Sequence, residues 1–184
     1  MKNFVLAVVL SAFFAGTQSV RADQNKPELD VLFGLLQDEL SHYQAEGVIR
    51  QIWGHWLDTD NEELSSVMDA GIDDMSNSDL KVALERFTEA IDLKPDFAEA
   101  WNKRATVYYM LGDFEKSSRD VEETLKLEPR HFGALSGQGM ILLNQQKPRK
   151  ALEYFKRALD MNPFMSGVIQ TVRYLEEQEK NDLI

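Results

Sequence analysis

The chain of 184 residues contains no cysteine, and this absence excludes several classes of site. A chain without thiols forms no disulfide, binds no metal through thiolate and has no cysteine nucleophile or lipid-modified cysteine. Basic residues are also few, because 20 Lys and Arg stand against 31 Asp and Glu and give a formal net charge of −11. Nucleic acids and anionic membrane surfaces bind clustered Lys and Arg, so the composition argues against both as partners.

Sequence motifs of catalysis and cofactor binding are missing as well. The three histidines, His42, His55 and His131, are not spaced as metal ligands on one helix face would be. The sequence has no glycine-rich phosphate loop, no Gly-x-Ser-x-Gly elbow and no paired-histidine motif. We therefore expect no enzymatic activity, no metal and no cofactor.

Residues 1–22 have the pattern of a secretory signal peptide. Lys2 supplies a basic start, residues 4–15 form a nearly unbroken apolar run, and Val20 and Ala22 supply compact residues at the −3 and −1 positions of a cleavage site after Ala22. The alternative is an uncleaved membrane anchor, but the apolar run is shorter than the roughly 20 residues that a membrane helix needs. The sequence therefore predicts an exported, periplasmic protein with no stable membrane insertion after cleavage.

Three prolines divide the rest of the chain at a constant pitch. Pro95, Pro129 and Pro163 are separated by two successive intervals of 34 residues, and each marks the end of a helical unit because proline cannot continue a helix. Self-similarity at this pitch predicts stacked helix pairs, since no single pair can bury its apolar face alone. Small residues stand five positions before the prolines and bulky apolar residues eight positions before them: Ala90, Thr124 and Ala158, then Phe87, Val121 and Phe155.

Aligned in this way, the chain resembles the tetratricopeptide repeat family. The first unit departs from the family pattern at Asp74, where an aromatic residue is preferred. The resemblance implies an all-α fold, a right-handed α-solenoid of antiparallel helix pairs, and non-catalytic binding of a protein or peptide. The second unit carries the pattern most fully, with Trp101, Ala105, Tyr108, Gly112, Asp113 and Pro129.

The predicted organisation has a helical segment on each side of the repeats. Apolar residues at helical spacing after the signal peptide predict a hairpin of two helices, with Trp53 and Trp56 on the buried side of the second. We expect this hairpin to cover the open end of the array, because a terminal unit otherwise leaves apolar surface in water. The predicted segments are the hairpin cap at 23–60, three repeats within 61–163 (about 64–97, 98–131 and 132–165), and a C-terminal capping helix and tail at 164–184.

Local signals indicate where several helices begin. The segment from Asp96 to Glu99 has the form of a capping box, in which Asp96 accepts from free amides and Glu99 reaches back. Asp79 and Asp113 precede the second helices of their units, where a carboxylate satisfies free N–H groups and suits the helix dipole.

The resemblance also implies a concave groove lined by the first helix of each unit. Family members that grip a carboxylate use Lys, Asn and Arg there, and only Asn102 is comparable, so a carboxylate clamp is not expected. Methionine is flexible and suits apolar peptides, which predicts an amphipathic or extended partner segment. The alternative is that the methionines pack against the N-terminal or C-terminal helices of the chain itself. The predicted groove residues are Met68, Ile72, Met75, Asn102, Thr106, Tyr109, Met110, Ser136, Met140, Leu143 and Asn144.

Arg104 occupies a position that is usually apolar in this repeat. Repeats with Arg there often carry Asp at the place of Asp120, so the resemblance implies a structural ion pair within the second unit. The alternative is a guanidinium group that faces a ligand.

A stretch between Arg50 and Lys81 contains many carboxylates and no Lys or Arg. Solvated helix faces explain it, and a basic or amphipathic partner segment is the alternative. The predicted function is a protein-binding or peptide-binding scaffold in the periplasm. The alternative is a self-assembling repeat protein of the cell envelope that forms a homo-oligomer.

Overall fold

The structure is a computed structural model that describes residues 27–181, in which the chain forms nine α-helices and no strand. This agrees with the predicted all-α class, while the predicted signal peptide lies outside the described residues. The helices in chain order are α1 Pro27–Leu35, α2 His42–Leu57, α3 Glu62–Ser76, α4 Leu80–Leu93, α5 Ala98–Met110, α6 Phe114–Leu127, α7 Phe132–Asn144, α8 Pro148–Met161 and α9 Ser166–Lys180.

The three repeats are the helix pairs α3–α4, α5–α6 and α7–α8. Each pair is joined by a short turn and packs closely, and successive pairs stack through α4 on α5 and α6 on α7. The last helix, α9, packs against α8 and buries Val172 and Leu175 there. None of the helices within residues 27–181 is long and apolar enough to cross a membrane.

Every repeat turns from its first to its second helix in the same way. One residue in each turn, Ser78, Gly112 or Gln146, has a left-handed backbone, with φ of 66°, 77° and 58° respectively. The N–H of Gly112 donates to the carbonyl oxygen of Tyr109 at 3.0 Å, and the other two turns contain the equivalent bond. Left-handed residues commonly end helices in this manner. The turn recurs every 34 residues, as the prolines do.

Small residues allow the two helices of a repeat to approach closely. A Cβ atom placed on Gly71 would lie 2.7 Å from the ring of Phe87, and one placed on Gly139 would lie 2.5 Å from the ring of Phe155. Both rings are fully buried. The aligned glycines therefore accommodate the aligned phenylalanines, and their role is to build the stack.

The predicted caps differ between the units. The Asp113 carboxylate accepts a hydrogen bond from the backbone N–H of Lys116, as an N-cap should. Asp79 occupies the N-cap position of α4, but its side chain makes no capping hydrogen bond. The start of α5 also differs from the expected box, because its N-cap residue is Phe97, which makes no side-chain capping bond.

The α1–α2 hairpin lies in a different place from the one we predicted. Its apolar side chains form a cluster with Phe132 at the start of α7, and with Met161, Phe164 and Met165 around the connection from α8 to α9. The core of the first repeat is instead filled by residues of α3, α4 and the start of α5. The hairpin therefore packs beside the second and third repeats, and its expected position over the open end of the first repeat is wrong.

Candidate functional site

A cavity of about 230 Å³ opens between α5, α6 and α7. Its floor consists of the buried side chains Ala105, Val121, Ala134 and Ile141. These residues come from both helices of the second repeat and from the first helix of the third repeat. The cavity is therefore a product of repeat stacking.

The cavity brings together part of the predicted groove. The five predicted residues that line it are Asn102, Thr106, Tyr109, Ser136 and Met140. Asn144 lies beside them, because its side-chain amide donates to the Tyr109 hydroxyl at 3.0 Å.

Other predicted groove residues lie elsewhere. Met68 is only 2% exposed and belongs to the core of the first repeat, so it is not accessible to a ligand. Ile72, Met75 and Leu143 pack partly buried against the repeat cores. Met110 is accessible, with 48% of its surface exposed. The first repeat therefore contributes less to the open surface than the sequence predicted, because α4 and α5 cover its apolar residues.

The polar groups of the cavity lining are satisfied within the chain. The Thr106 hydroxyl donates to the carbonyl oxygen of Asn102 at 2.9 Å, and the Ser136 hydroxyl donates to that of Gly133 at 2.9 Å. The buried Ser117 hydroxyl donates to a backbone carbonyl at 2.7 Å. The surface that remains for a ligand is consequently apolar, because these three hydroxyls already donate their hydrogen bonds within the chain.

Two glycines of α7 line the cavity one helical turn apart. A Cβ atom on Gly137 would meet nothing within 4 Å, so the space beside it is open. A Cβ atom on Gly133 would lie 2.8 Å from the ring of Trp53. The hairpin therefore reaches the edge of the cavity through Trp53.

Aromatic contacts hold α2 of the hairpin on the start of α7. The ring of Trp56 stacks on His131 with centroids 4.1 Å apart and an interplanar angle of 10°. Trp53 meets the edges of His131 and Phe132 at 5.4 and 5.5 Å. The ammonium group of Lys103 lies over the ring of Trp53 at 5.4 Å, in the geometry of a cation–π contact.

A buried polar network lies beneath these rings. His131 Nδ1 accepts a hydrogen bond from the N–H of Ala134 at 3.0 Å, so Nε2 carries the hydrogen and donates to Glu99 Oε2 at 2.8 Å. Asn102 donates to the same oxygen at 3.1 Å. The other carboxylate oxygen, Oε1, accepts no well-aligned hydrogen bond within residues 27–181 and is held by the charge of Lys103 at 3.0 Å.

This network corrects our interpretation of Glu99. We expected its side chain to reach back to the start of α5, but the side chain is fully buried and binds His131, the N-cap residue of α7. Burial alone raises the pKa of the Glu99 carboxyl. The hydrogen bond from His131 and the charge of Lys103 outweigh burial and leave the pKa below its ordinary value of 4.5.

The lowered pKa of Glu99 predicts a pH-dependent effect of its substitution. A carboxyl group whose pKa is depressed in the folded state stabilises that state above the unfolded pKa, and this contribution is lost as pH falls through the folded pKa. Glu99→Gln should therefore lower the melting temperature at pH 7, and the difference from wild type should shrink as pH falls below about 4.5. A difference in melting temperature that stays constant from neutral to acidic pH would show that the ionised Glu99 carboxylate does not stabilise the fold, and the exposed Glu153→Gln serves as the control.

Arg104 and Asp120 form a bidentate ion pair in the second repeat. Arg104 Nε donates to Asp120 Oδ2 at 2.7 Å and Nη2 donates to Oδ1 at 2.9 Å. Arg104 Nη1 also donates to the Thr88 hydroxyl at 3.2 Å, and the guanidinium lies 4.9 Å from the ring centre of Trp101. All these partners are side chains of the repeats. Because Thr88 belongs to the first repeat, the Arg104–Asp120 pair links the first and second repeats.

Removing one partner of this pair should be costly. Asp120→Ala leaves the largely buried guanidinium of Arg104 without its carboxylate, and we expect a loss of about 3 kcal/mol in the free energy of unfolding. Glu115→Ala is the matched control, because it breaks an exposed pair with Arg119 and should cost less than about 1 kcal/mol. Urea denaturation of both variants compares them directly. Equal stabilities would rule out the structural role.

No group of three or more potential metal ligands comes together in the described part of the chain. The candidate site thus consists of the apolar cavity, its rim of Tyr109, Met140 and Asn144, and the hairpin at its border.

Comparisons with known proteins agree with the repeat architecture. Family models for a TPR repeat and for a tetratricopeptide repeat match residues 74–112 and 111–166. A TPR repeat-containing protein of Rhizobium etli is 37% identical over 156 residues, which are 83% of this chain and 75% of that protein. Hsp70-Hsp90 organizing protein 3 of Arabidopsis thaliana is 28% identical over 105 residues, which are 55% of this chain but only 19% of that protein.

Solved structures show the same fold. The first TPR domain of Spaghetti (RPAP3), bound to the HSP90 peptide SRMEEVD, matches with a TM-score of 0.62 and 19% identity, over 66% of this chain and 97% of that one. MamA matches with a TM-score of 0.60 and 17% identity, over 76% of this chain and 80% of that one. At these identities the likeness extends to the stacking of helix pairs.

Proposed function

Because the chain belongs to the tetratricopeptide repeat family, we propose that it is a non-catalytic scaffold that binds a segment of another protein in the cavity between α5 and α7. The cavity itself carries the proposal. An engineered cavity of about 150 Å³ admits benzene, so 230 Å³ leaves room for one large apolar side chain. The matching Spaghetti domain is itself bound to a peptide, which supports this use of the fold.

The chemistry of the cavity favours an apolar anchor over an acidic one. None of the residues that line it is Lys or Arg. The nearby cation Lys103 is already engaged by Glu99. Met110 and Met140 are exposed on the adjoining helices and adapt readily to apolar side chains of varied shape. An acidic peptide such as the one bound to Spaghetti would find no cation in this lining.

We further propose that the protein works in the periplasm after export. The pattern of residues 1–22 supports this location. Cell fractionation followed by N-terminal sequencing of the purified protein tests it. A mature chain that begins at Asp23 is the expected result, and a cytoplasmic chain that retains Met1 would contradict the proposal.

Site-specific photocrosslinking in cells tests the binding function. A photoreactive residue at Tyr109 lies in the cavity lining, whereas the same residue at Glu122 lies on an exposed part of α6. We expect one defined protein to be captured from position 109 and not from position 122. Equal capture from both positions, or none from either, would count against the proposed function.

A further inference from the structure

The hairpin is anchored firmly beside the cavity. Trp56 is 1% exposed, and the hairpin buries Leu29, Leu36 and Ile52 completely. These side chains share one apolar cluster with Phe132, Met161 and Phe164 of the repeats, so removing the hairpin would expose apolar surface on both sides and would be strongly unfavourable. Such extensive burial is typical of a permanent packing interface.

Polar contacts anchor the hairpin at two further points. Asp30 of α1 pairs with Arg130 at 2.6 Å, in the connection that precedes α7. The side-chain amide of Gln37 donates to the carbonyl oxygen of Asp160 at 3.2 Å, near the end of α8. The hairpin is therefore fixed to the third repeat at several separate positions.

Trp53 is the hairpin residue that borders the cavity. Its ring packs against Gly133, which also lines the cavity, and Trp53 itself is only partly buried. The hairpin and the cavity lining therefore meet at Gly133. A partner segment that places an apolar side chain in the cavity beside Gly137 would also meet Trp53. This is because Trp53 packs against Gly133, one helical turn before Gly137 on α7.

The charge of the first repeat indicates the chemistry of that segment. Asp69 and Asp73 are exposed one turn apart on α3 and have no ion-pair partner in the described residues. Helix α3 contacts α5, and it carries no basic residue. A segment that places an apolar side chain in the cavity and basic side chains toward α3 would match both features.

We propose that the hairpin is a permanent wall of the binding surface, and that Trp53 contacts the apolar face of a basic, amphipathic segment of a partner protein. This inference rests on the proposed function and adds the hairpin to the site. It assigns to Trp53 a direct role in binding, and to Trp56 a role in holding the hairpin in place.

A covalent link between the hairpin and the repeats tests whether the wall is permanent. The chain has no cysteine, so Gln37→Cys with Asp160→Cys gives a unique pair of exposed thiols that a short bis-maleimide can join. The probe is a designed amphipathic helix of leucine and lysine, and a helix of leucine and glutamate is the control. We expect the linked and unlinked proteins to bind the leucine–lysine peptide with the same affinity. A loss of about tenfold or more on linking would show that the hairpin must leave, and would overturn the inference.

Substitution of Trp53 in the linked protein tests its contact with the segment. The link keeps the hairpin docked, so Trp53→Ala should weaken peptide binding by about tenfold through loss of the contact alone. Tyr43→Ala is the control, because this residue of the same helix is 85% exposed. Unchanged binding by Trp53→Ala would overturn the inference.

A third variant separates this inference from the proposed function. Gly137→Leu fills the open space beside α7 and should abolish peptide binding if the cavity is the site. If Gly137→Leu abolishes binding and Trp53→Ala does not change it, the cavity function holds and the role of the hairpin fails. If neither variant changes binding, or the leucine–lysine peptide does not bind at all, both proposals fail.

Discussion

Replacing Trp56 with alanine should destabilise the protein by about 3–5 kcal/mol and loosen the hairpin from the repeats. The ring of Trp56 stacks on His131 and contacts Phe132 and Phe33 at centroid distances of 5.0 and 6.1 Å. Its removal leaves a void between two parts of the chain that meet only through packing and a few polar contacts. Urea denaturation measures the loss of stability, and limited proteolysis should show cleavage within residues 27–61 before cleavage of the repeats.

Two variants of the same helix serve as controls for this result. Tyr43→Ala removes an exposed ring and should change stability by less than about 0.5 kcal/mol. Trp56→Phe keeps an aromatic ring on His131, and the lost indole N–H has no acceptor among residues 27–181, so this variant should retain most of the stability. If Trp56→Ala behaves like Tyr43→Ala, the hairpin is not held in the way described here.

Replacing Phe87 with alanine should also cost about 3–5 kcal/mol in the free energy of unfolding. Phe87 is fully buried in the core of the first repeat, and its ring fills the space that Gly71 leaves open. The backbone of two stacked helices cannot collapse around so large a void. We expect the Phe87→Ala variant to unfold cooperatively at a lower urea concentration than wild type. The hairpin should not detach from the repeats before they unfold.

The comparison for Phe87 is Val82→Ala on the same helix. Val82 is 40% exposed, so its truncation should change stability by less than about 0.5 kcal/mol. Similar urea midpoints for the two variants would contradict the assignment of Phe87 to the core.

The repeats could be predicted from the sequence because their signals are local and recur. Each proline ends a unit, and each small residue faces a bulky one at a fixed spacing, as Gly139 faces Phe155. The turn with left-handed Ser78, Gly112 and Gln146 repeats in the structure with the same interval. Only the middle position of the three is glycine, so this feature is less visible in the sequence than the prolines are.

The place of the hairpin could not be predicted, because it depends on contacts between distant residues. Trp56 and His131 are 75 positions apart, and nothing local in either segment specifies the partner of the other. The local sequence predicts the wrong partners for the Glu99 carboxylate for a related reason. Its local sequence has the form of a capping box, but burial between two repeats gave its carboxylate stronger partners in His131 and Lys103.

Only part of the groove could be predicted, because the exposure of its residues also depends on contacts between distant parts of the chain. Met68 and Ser136 occupy equivalent positions of their repeats, 68 residues apart, yet Met68 is in the core and Ser136 lines the cavity. The repeat pattern gives the direction of a side chain, whereas its exposure depends on what packs over it. Gly133 and Gly137 of α7 line the cavity but were not among the predicted groove residues.

Binding of the leucine–lysine peptide to Gly137→Leu and Gly137→Ala tests directly whether the cavity between α5 and α7 is the binding site. Both substitutions replace a helical glycine and should preserve or raise stability, by up to about 1 kcal/mol. Leucine extends into the open space of the cavity, whereas the single methyl group of alanine leaves most of it free. We predict that Gly137→Ala binds the peptide as wild type does and that Gly137→Leu, with an unchanged or higher melting temperature, does not bind it. Equal binding by the two folded variants would show that the cavity between α5 and α7 is not the binding site.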